Sequence, residues 1–355
     1  MKKIFRIMAS LLVVFTLAFA VSSCKKKEEN KEATYKLGMG VVVSTEASKE
    51  NAPQVDATVA AVVMKDGKIV ACRLDAVQNK ATIADGVVTV TNLKSKMELG
   101  DDYGMAKWGK DMDMNGDGIV KEWYDQAKAF EAYVVGMTAA EVAAIKTAEN
   151  AHGYQMATDK ALLDAGCTIQ ITDFIAATAK ACNDEQGQEF KTAKEFTLGV
   201  AATSFKDASS KDATEEADGA INMYSDFAAT VVAEGKILAC LNDAIQPKLT
   251  FTLAGVVTGS FKDTKRCLKE DYNMAKWGTS QDGNGDGVVK EWYIQSAAFS
   301  KHVIGMTGEE VANMETKANL IGYQMTTDKD LLEAGCTIQI TDIKAVVAKA
   351  VSYAR

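Results

Sequence analysis

Tyr154 to Asp173 reads YQMATDKALLDAGCTIQITD and Tyr323 to Asp342 reads YQMTTDKDLLEAGCTIQITD, agreeing at 17 of 20 positions. Upstream, DYGMAKWG from Asp102 matches DYNMAKWG from Asp271, and GDGIVKEWY from Gly116 matches GDGVVKEWY from Gly285. Gly67 to Cys72 likewise aligns with Gly235 to Cys240. A duplicated unit of about 150 residues is too long for a solenoid repeat and has the size of a domain. The expectation is two tandem repeat domains, 35–182 and 195–355, joined by a polar linker over 183–194.

Within each copy the hydrophobic period changes along the chain. Val59 to Met64 and Lys68 to Leu74 flank Asp66-Gly67, a hairpin signal. Val87 to Leu93 is a further β-prone run, and Leu249 to Leu253 and Val256 to Phe261 flank Ala254-Gly255 in the second copy. After Gly100 the spacing becomes helical: Val120, Trp123, Tyr124, Ala127, Phe130 and Val134 share one face, and Gly136 suits the helix end. Thr138 with Glu141, and Thr307 with Glu310, fit capping boxes. Thr168 to Ile171 reads as short and β-like, and Thr172-Asp173 opens a last helix. Strands first and helices after predict an α+β fold, each repeat a small, mainly antiparallel sheet followed by helices.

The start of the chain reads as an export signal. Lys2, Lys3 and Arg6 precede the apolar run Leu11 to Ala20, and Val21-Ser22-Ser23 lead to Cys24. The run is shorter than the roughly 20 residues a membrane span needs. Residues 1–23 therefore read as a lipoprotein signal peptide, Cys24 as the lipidation site and 24–34 as a hydrophilic tether. Several acyl chains would anchor the protein to a membrane. Loss of the three positive charges before Cys24 takes the formal net charge from −8 to −11. That balance argues against nucleic acid as a partner.

Histidine-centred chemistry has no footing in both copies. His152 and His302 are the only histidines, they align with Ile321 and Tyr133, and each reads as helix surface. Asp-rich loops are sharper. Asp113, Asn115 and Asp117 stand at alternate positions before Gly118, and Asp282, Asn284 and Asp286 before Gly287. Such oxygens can converge on Ca2+, and the loops resemble those of EF-hand and dockerin modules. Tyr124 and Tyr293 stand where a bidentate acid is expected, although Glu122 and Glu291 lie close by. The alternative is an Asn-Gly-Asp-Gly turn opening a helix.

Other pairs are shared between the copies. Asp75 and Gln78 match Asp243 and Gln246 just after a strand, as ligand contacts or as strand-end caps. Tyr103, Met105 and Trp108 match Tyr272, Met274 and Trp277, as core or as an aromatic platform for a planar cofactor. Cys72 and Cys167 match Cys240 and Cys336, which leaves an intradomain disulfide and buried thiols both open; Cys182 and Cys267 are unmatched.

The order of elements resembles the small FMN-binding domain of bacterial membrane lipoproteins and flavin electron-transfer proteins. The echoes are Asp66 to Val70, Asp75, Tyr103 with Met105, and Ala165-Gly166-Cys167-Thr168. In the second copy they are Gly235 to Leu238, Asp243, Tyr272 with Met274, and Ala334-Gly335-Cys336-Thr337. The resemblance implies FMN esterified to Thr168 and Thr337, with Asp75 and Asp243 beside it, and a role as electron relay. No GxGxxG after a strand, P-loop or kinase signature occurs, so a nucleotide-dependent or hydrolytic enzyme is not expected. The sequence thus leads to a membrane-anchored, exported lipoprotein with two small-molecule-binding domains. The alternative is a calcium-stabilised structural or interaction protein without a redox role.

Overall fold

The computed structural model describes residues 32–112, 121–281, 290–320 and 322–355, and Glu32–Arg355 forms one compact unit. The signal peptide, Cys24 and most of the tether lie outside the described residues, as do Asp113, Asn115, Asp117, Asp282, Asn284 and Asp286 of the two Asp-rich loops.

The first half opens with four strands, β1 (Ala33–Ser44), β2 (Gln54–Lys65), β3 (Lys68–Ala84) and β4 (Val87–Asn92). Helices α1 (Lys96–Leu99), α2 (Met105–Met112), α3 (Trp123–Tyr133) and α4 (Ala139–Ala143) follow. A short hairpin, β5 (Thr147–Glu149) and β6 (Gln155–Ala157), precedes α5 (Lys160–Asp164) and α6 (Thr172–Cys182), and β7 (Gln188–Thr192) closes the half. The second half repeats the order. Its strands are β8 (Thr197–Lys206), β9 (Gly219–Ala233), β10 (Lys236–Ile245), β11 (Lys248–Phe251) and β12 (Val257–Ser260). Then come α7 (Lys265–Leu268), α8 (Met274–Gln281), α9 (Trp292–His302), α10 (Gly308–Ala312), β13 (Thr316–Ala318), β14 (Gln324–Thr326), α11 (Lys329–Glu333) and α12 (Thr341–Ser352). The fold is α+β, its strand pairings antiparallel throughout.

Local chemistry sets many of these boundaries. Asp66 and Gly67 both take positive φ, the geometry that lets a two-residue turn follow the twist of β2 and β3. Thr138 and Thr307 each accept from the backbone of Glu141 and Glu310, whose carboxylates return the bond, so both capping boxes form. The second half departs at Pro247. Where β3 runs unbroken, β10 ends at Ile245 and a new strand begins at Lys248. Proline has no N–H to give the ladder, so the strand is cut there.

The sheets have two apolar faces, and each face has a different partner. Along β2, Val55, Ala57, Val59, Ala61 and Val63 point into a core shared with Val200, Phe227 and Val231 of the other half. Ala60 and Val62, on the opposite face, pack under α6 and α3 with Phe130 and Phe174. The second half builds the matching helix-side core around Phe299, Val346 and Val347. The result is four layers, helix–sheet–sheet–helix. Gly38 and Gly199 bring the outer helices close: an added Cβ would lie 2.1 Å from the Ala181 carbonyl oxygen and 1.9 Å from that of Ala350.

The segment 183–194, expected as a linker, is partly strand. β7 extends the first sheet by pairing with β1, and its alternation buries Phe190 and Thr192. The halves also interlock through polar groups. Arg266 Nη2 donates to both carboxylate oxygens of Asp184 at 3.1 and 3.0 Å, and Asn79 donates to Ser225 Oγ at 3.0 Å inside the sandwich. The duplicated units thus share one core instead of sitting as beads on a string.

Candidate functional site

A cavity of about 640 Å³ opens in the second half, between the far ends of β8 and β9 on one side and α8, the β13–β14 hairpin and the start of α12 on the other. Its size falls in the usual range for small-molecule sites. Lys265 forms one wall. Thr264 caps α7 by accepting from Cys267 N, which fixes Lys265 at the first helical position. The Lys265 ammonium lies 4.6, 5.0 and 5.4 Å from the ring centroids of Tyr224, Tyr272 and Trp292. Three electron-rich faces around one cation form a cation–π box, worth most where water is excluded. The box is braced from outside: Phe205 stacks on Tyr224 at 5.1 Å, and the Tyr272 hydroxyl donates to Gln246 Oε1 at 2.8 Å.

Carboxylates face the same space. Asp226 is buried, and its carboxyl is pushed up to about 7, chiefly by burial, with Lys265 opposing and Asp342 and Asp243 reinforcing the rise. Asp342 accepts from Gln339 Nε2 at 3.2 Å, and Asp207 completes the acidic lining. The opposite wall is aromatic and open: Trp277 and Tyr323 meet edge-on at 6.0 Å and are each about 40% exposed (43% and 42%). Glu291 positions Trp277, because its two oxygens accept from Met274 N and Ala275 N at 2.9 and 3.3 Å and so hold the start of α8.

The structure separates the residues singled out in the sequence. Thr337 lines the cavity, its N–H and hydroxyl both donating to Gln295 Oε1 at 2.6 and 3.2 Å. Thr168 makes the same pair of bonds to Gln126 and is buried. Asp75 and Asp243 are not among the cavity residues. Each is buried and receives backbone amides with Oδ1: Ala76 and Met97 donate to Asp75 at 2.7 and 3.2 Å, Ala244 and Arg266 to Asp243 at 2.8 and 3.0 Å. Asp243, near the end of β10, thereby ties that strand to α7, and Asp75, midway along β3, ties its strand to α1. Of Tyr103, Met105 and Trp108 and their counterparts, the tyrosines and methionines pack against the helix-side cores, as the core reading expects, whereas Trp108 and Trp277 are exposed.

The metal expectation falls largely outside the described residues. Glu122 and Glu291, at the described ends of the two loops, are occupied as helix caps. The Tyr124 and Tyr293 hydroxyls donate to Asp101 and Glu270 at 2.9 and 2.8 Å. Among the described residues no group of three or more His, Cys, Asp or Glu is arranged to hold a metal ion. His302 differs from the helix-surface expectation: it is half-buried, with Nε2 3.5 Å from Asp328 Oδ2. His152 is exposed in the turn between β5 and β6 instead of on a helix. Cys72, Cys167, Cys240 and Cys336 are buried free thiols; Cys182 is free and half-buried, and Cys267 is free and exposed.

Flavin mononucleotide brings a planar ring and a phosphate. The exposed aromatic wall suits the ring. The phosphate does not fit, because a dianion on Thr337 would enter a cavity already holding Asp207, Asp226 and Asp342. Lys265, the one cation among the described lining residues, is already sheathed by rings. Sequence reasoning missed Lys265 and Asp226. The lysine had a signal, since Lys96 and Lys265 recur at the same place in the two copies, directly after a Ser or Thr cap.

Fold and site together define a four-layer α+β sandwich whose second half carries a cavity walled by exposed aromatic rings. No protein-family model, curated protein or solved structure matches the chain.

Proposed function

We propose that this chain is an exported, lipid-anchored binding protein whose second-half cavity takes a neutral saccharide. The lining supports this reading. Aromatic faces carry partial negative charge and attract the positively polarised C–H faces of a sugar ring. Carboxylate and amide oxygens beside them accept from hydroxyls, and a charged acceptor strengthens such bonds. The single observation that carries the proposal is the pairing of the open Trp277–Tyr323 wall with Asp207, Asp226 and Asp342 in one 640 Å³ space. An anionic ligand would be repelled by the acids. A cationic one would meet Lys265, which already fills the cation–π box.

The anchor rests on the leader ending at Cys24. Among the described residues no helix is long and apolar enough to cross a membrane.

Titration calorimetry and tryptophan emission on the mature chain, with a panel of neutral hexose and pentose oligosaccharides, test the binding. We expect at least one member to bind, and W277A to weaken it by tenfold or more. A panel that fails throughout, or a tight ligand that is anionic, would refute the saccharide reading. Intact-mass analysis tests the anchor: the expected species begins at an acylated Cys24, and an unmodified chain beginning at Met1 would refute it.

A further inference from the structure

The first half contains the same frame in altered form. Trp108 and Tyr154 meet edge-on at 6.3 Å, as Trp277 and Tyr323 do, and both are exposed, at 40% and 36%. The Lys96 ammonium lies 4.9 Å from the Tyr103 ring and 5.4 Å from Trp123, nearly the distances of Lys265 from Tyr272 and Trp292. Ser95 caps α1 as Thr264 caps α7. Glu122 holds the start of α2, and with it Trp108, through Met105 N and Ala106 N at 2.9 and 3.2 Å. The Glu122 bonds thus hold the helix that carries Trp108 as the Glu291 bonds hold the one that carries Trp277.

Three replacements change what the frame encloses. The β2–β3 hairpin aligns with β9–β10 so that Asp56 stands where the second half has Tyr224, and Thr58 where it has Asp226. Ser44 stands where it has Phe205. The third ring over the lysine and the ring that braces it are therefore both missing, and Lys96 is more exposed than the buried Lys265. Asp56 is held by Gln54, whose Nε2 donates to Oδ2 at 2.7 Å. A carboxylate acceptor thus occupies the place of an aromatic wall.

From this we infer that the first half carries a second saccharide site, centred on Trp108 and Tyr154, wider than the first and with its carboxylate acceptor at Asp56 in place of the one at Asp226. The inference rests on the saccharide reading of the second-half cavity. The wider site accommodates a ring bearing a substituent, such as a branch point, on the side where Tyr224 closes the other site. Linear probes fit both sites, whereas branched probes fit this one alone.

The test is titration calorimetry on the mature chain with whichever neutral oligosaccharide of the panel binds it, and with its branched counterpart. Three variants accompany it: W108A/Y154A, W277A/Y323A and all four substitutions together. The mutated side chains are exposed, and thermal melts verify that each variant is folded. The expected result is two linear ligands bound per wild-type chain, one per chain in either double variant, and none in the quadruple variant. The branched probe should bind W277A/Y323A and not W108A/Y154A. Adding D56Y should reduce branched-probe affinity at least tenfold while sparing the linear probe. One ligand per wild-type chain, unaffected by W108A/Y154A and abolished by W277A/Y323A, would overturn this inference and leave the cavity assignment standing. Failure of every probe on wild type would overturn both.

Discussion

Arg355 lays its guanidinium on the carboxylate of Glu131, with Nη2 at 3.1 and 2.9 Å from the two oxygens, joining the second half to a buried acid on helix α3 of the first. Leu74 N also donates to Glu131 at 2.9 Å, and Arg73 Nη1 stands 3.5 Å away. Burial pushes the Glu131 carboxyl upward, and Arg355 is the foremost group holding it down. The chain ties this corner again through main-chain bonds between Arg355 and Leu198 at 3.2 and 3.4 Å.

Removing one partner of a buried pair commonly costs about 3–5 kcal/mol. Arg73 remains in R355A, and the Arg355 side chain is one-third exposed (33%), so the expected loss is smaller, about 1–3 kcal/mol. Urea denaturation of R355A measures it. Because the halves share one core, the transition should stay single. A separate early transition for one half would contradict the shared core.

The glycine contacts under the outer helices give a second prediction. At Gly199 a methyl group would lie 1.9 Å from the Ala350 carbonyl oxygen, and at Gly38 2.1 Å from that of Ala181. Both obstacles are backbone, so α12 or α6 must move as a body. Overpacking of this kind costs about 1–3 kcal/mol, and the upper end is expected for G199A and G38A. Equilibrium unfolding that leaves either variant as stable as wild type would show that the helices do not sit where described.

How far the sequence foretold this depends on whether the information was local. The Asp66-Gly67 turn, the two capping boxes and the α3 face were legible because each is settled within a few residues. The sheet-on-sheet core was not. Strands such as β2, apolar on both faces, say that they are buried twice over but not by what. The β7 segment QEFKT is polar enough to pass for linker, and only its alternation, with Phe190 and Thr192 inward, betrays a strand. Asp243 was legible as a cap near the end of β10, whereas Asp75 lies inside β3, which runs on past the strand end that the sequence suggested. The cavity was not legible, because Phe205, Tyr224, Tyr272 and Tyr323 come from four distant segments.

Buried carboxyls make stability fall as pH rises. Burial raises Asp226 to about 7 and Asp75 to about 6, both from 3.8. Between pH 4 and 7 the folded chain therefore holds protons that the unfolded chain has released, and stability declines across that window. Lys265 moderates the effect at Asp226, while Asp342 and Asp243 add to it. Glu141 and Glu310 act oppositely, held low by their capping-box bonds, and weaken the fold only in more acid solution. Melting temperature should therefore be highest near pH 4–5 and fall toward pH 8. D226N should lose much of that slope and gain stability at pH 8. A wild-type melting curve that climbs from pH 5 to 8 would contradict the burial of these acids.

The thiols supply the last prediction. All six described cysteines are free, and burial raises every one of them, Cys167, Cys240 and Cys336 to about 12 and Cys182 to about 11. Reactivity follows the thiolate fraction and access. Cys267 alone among them is exposed, and Thr264 and Lys180 partly offset the upward push on it. A disulfide reagent at pH 8 should therefore label one described thiol quickly and the other five only after denaturant is added. C267S should abolish the fast phase while leaving the melt unchanged. Two fast thiols in the native chain, or fewer than six released on unfolding without reductant, would mean that the cysteines pair or lie open in ways this packing does not allow.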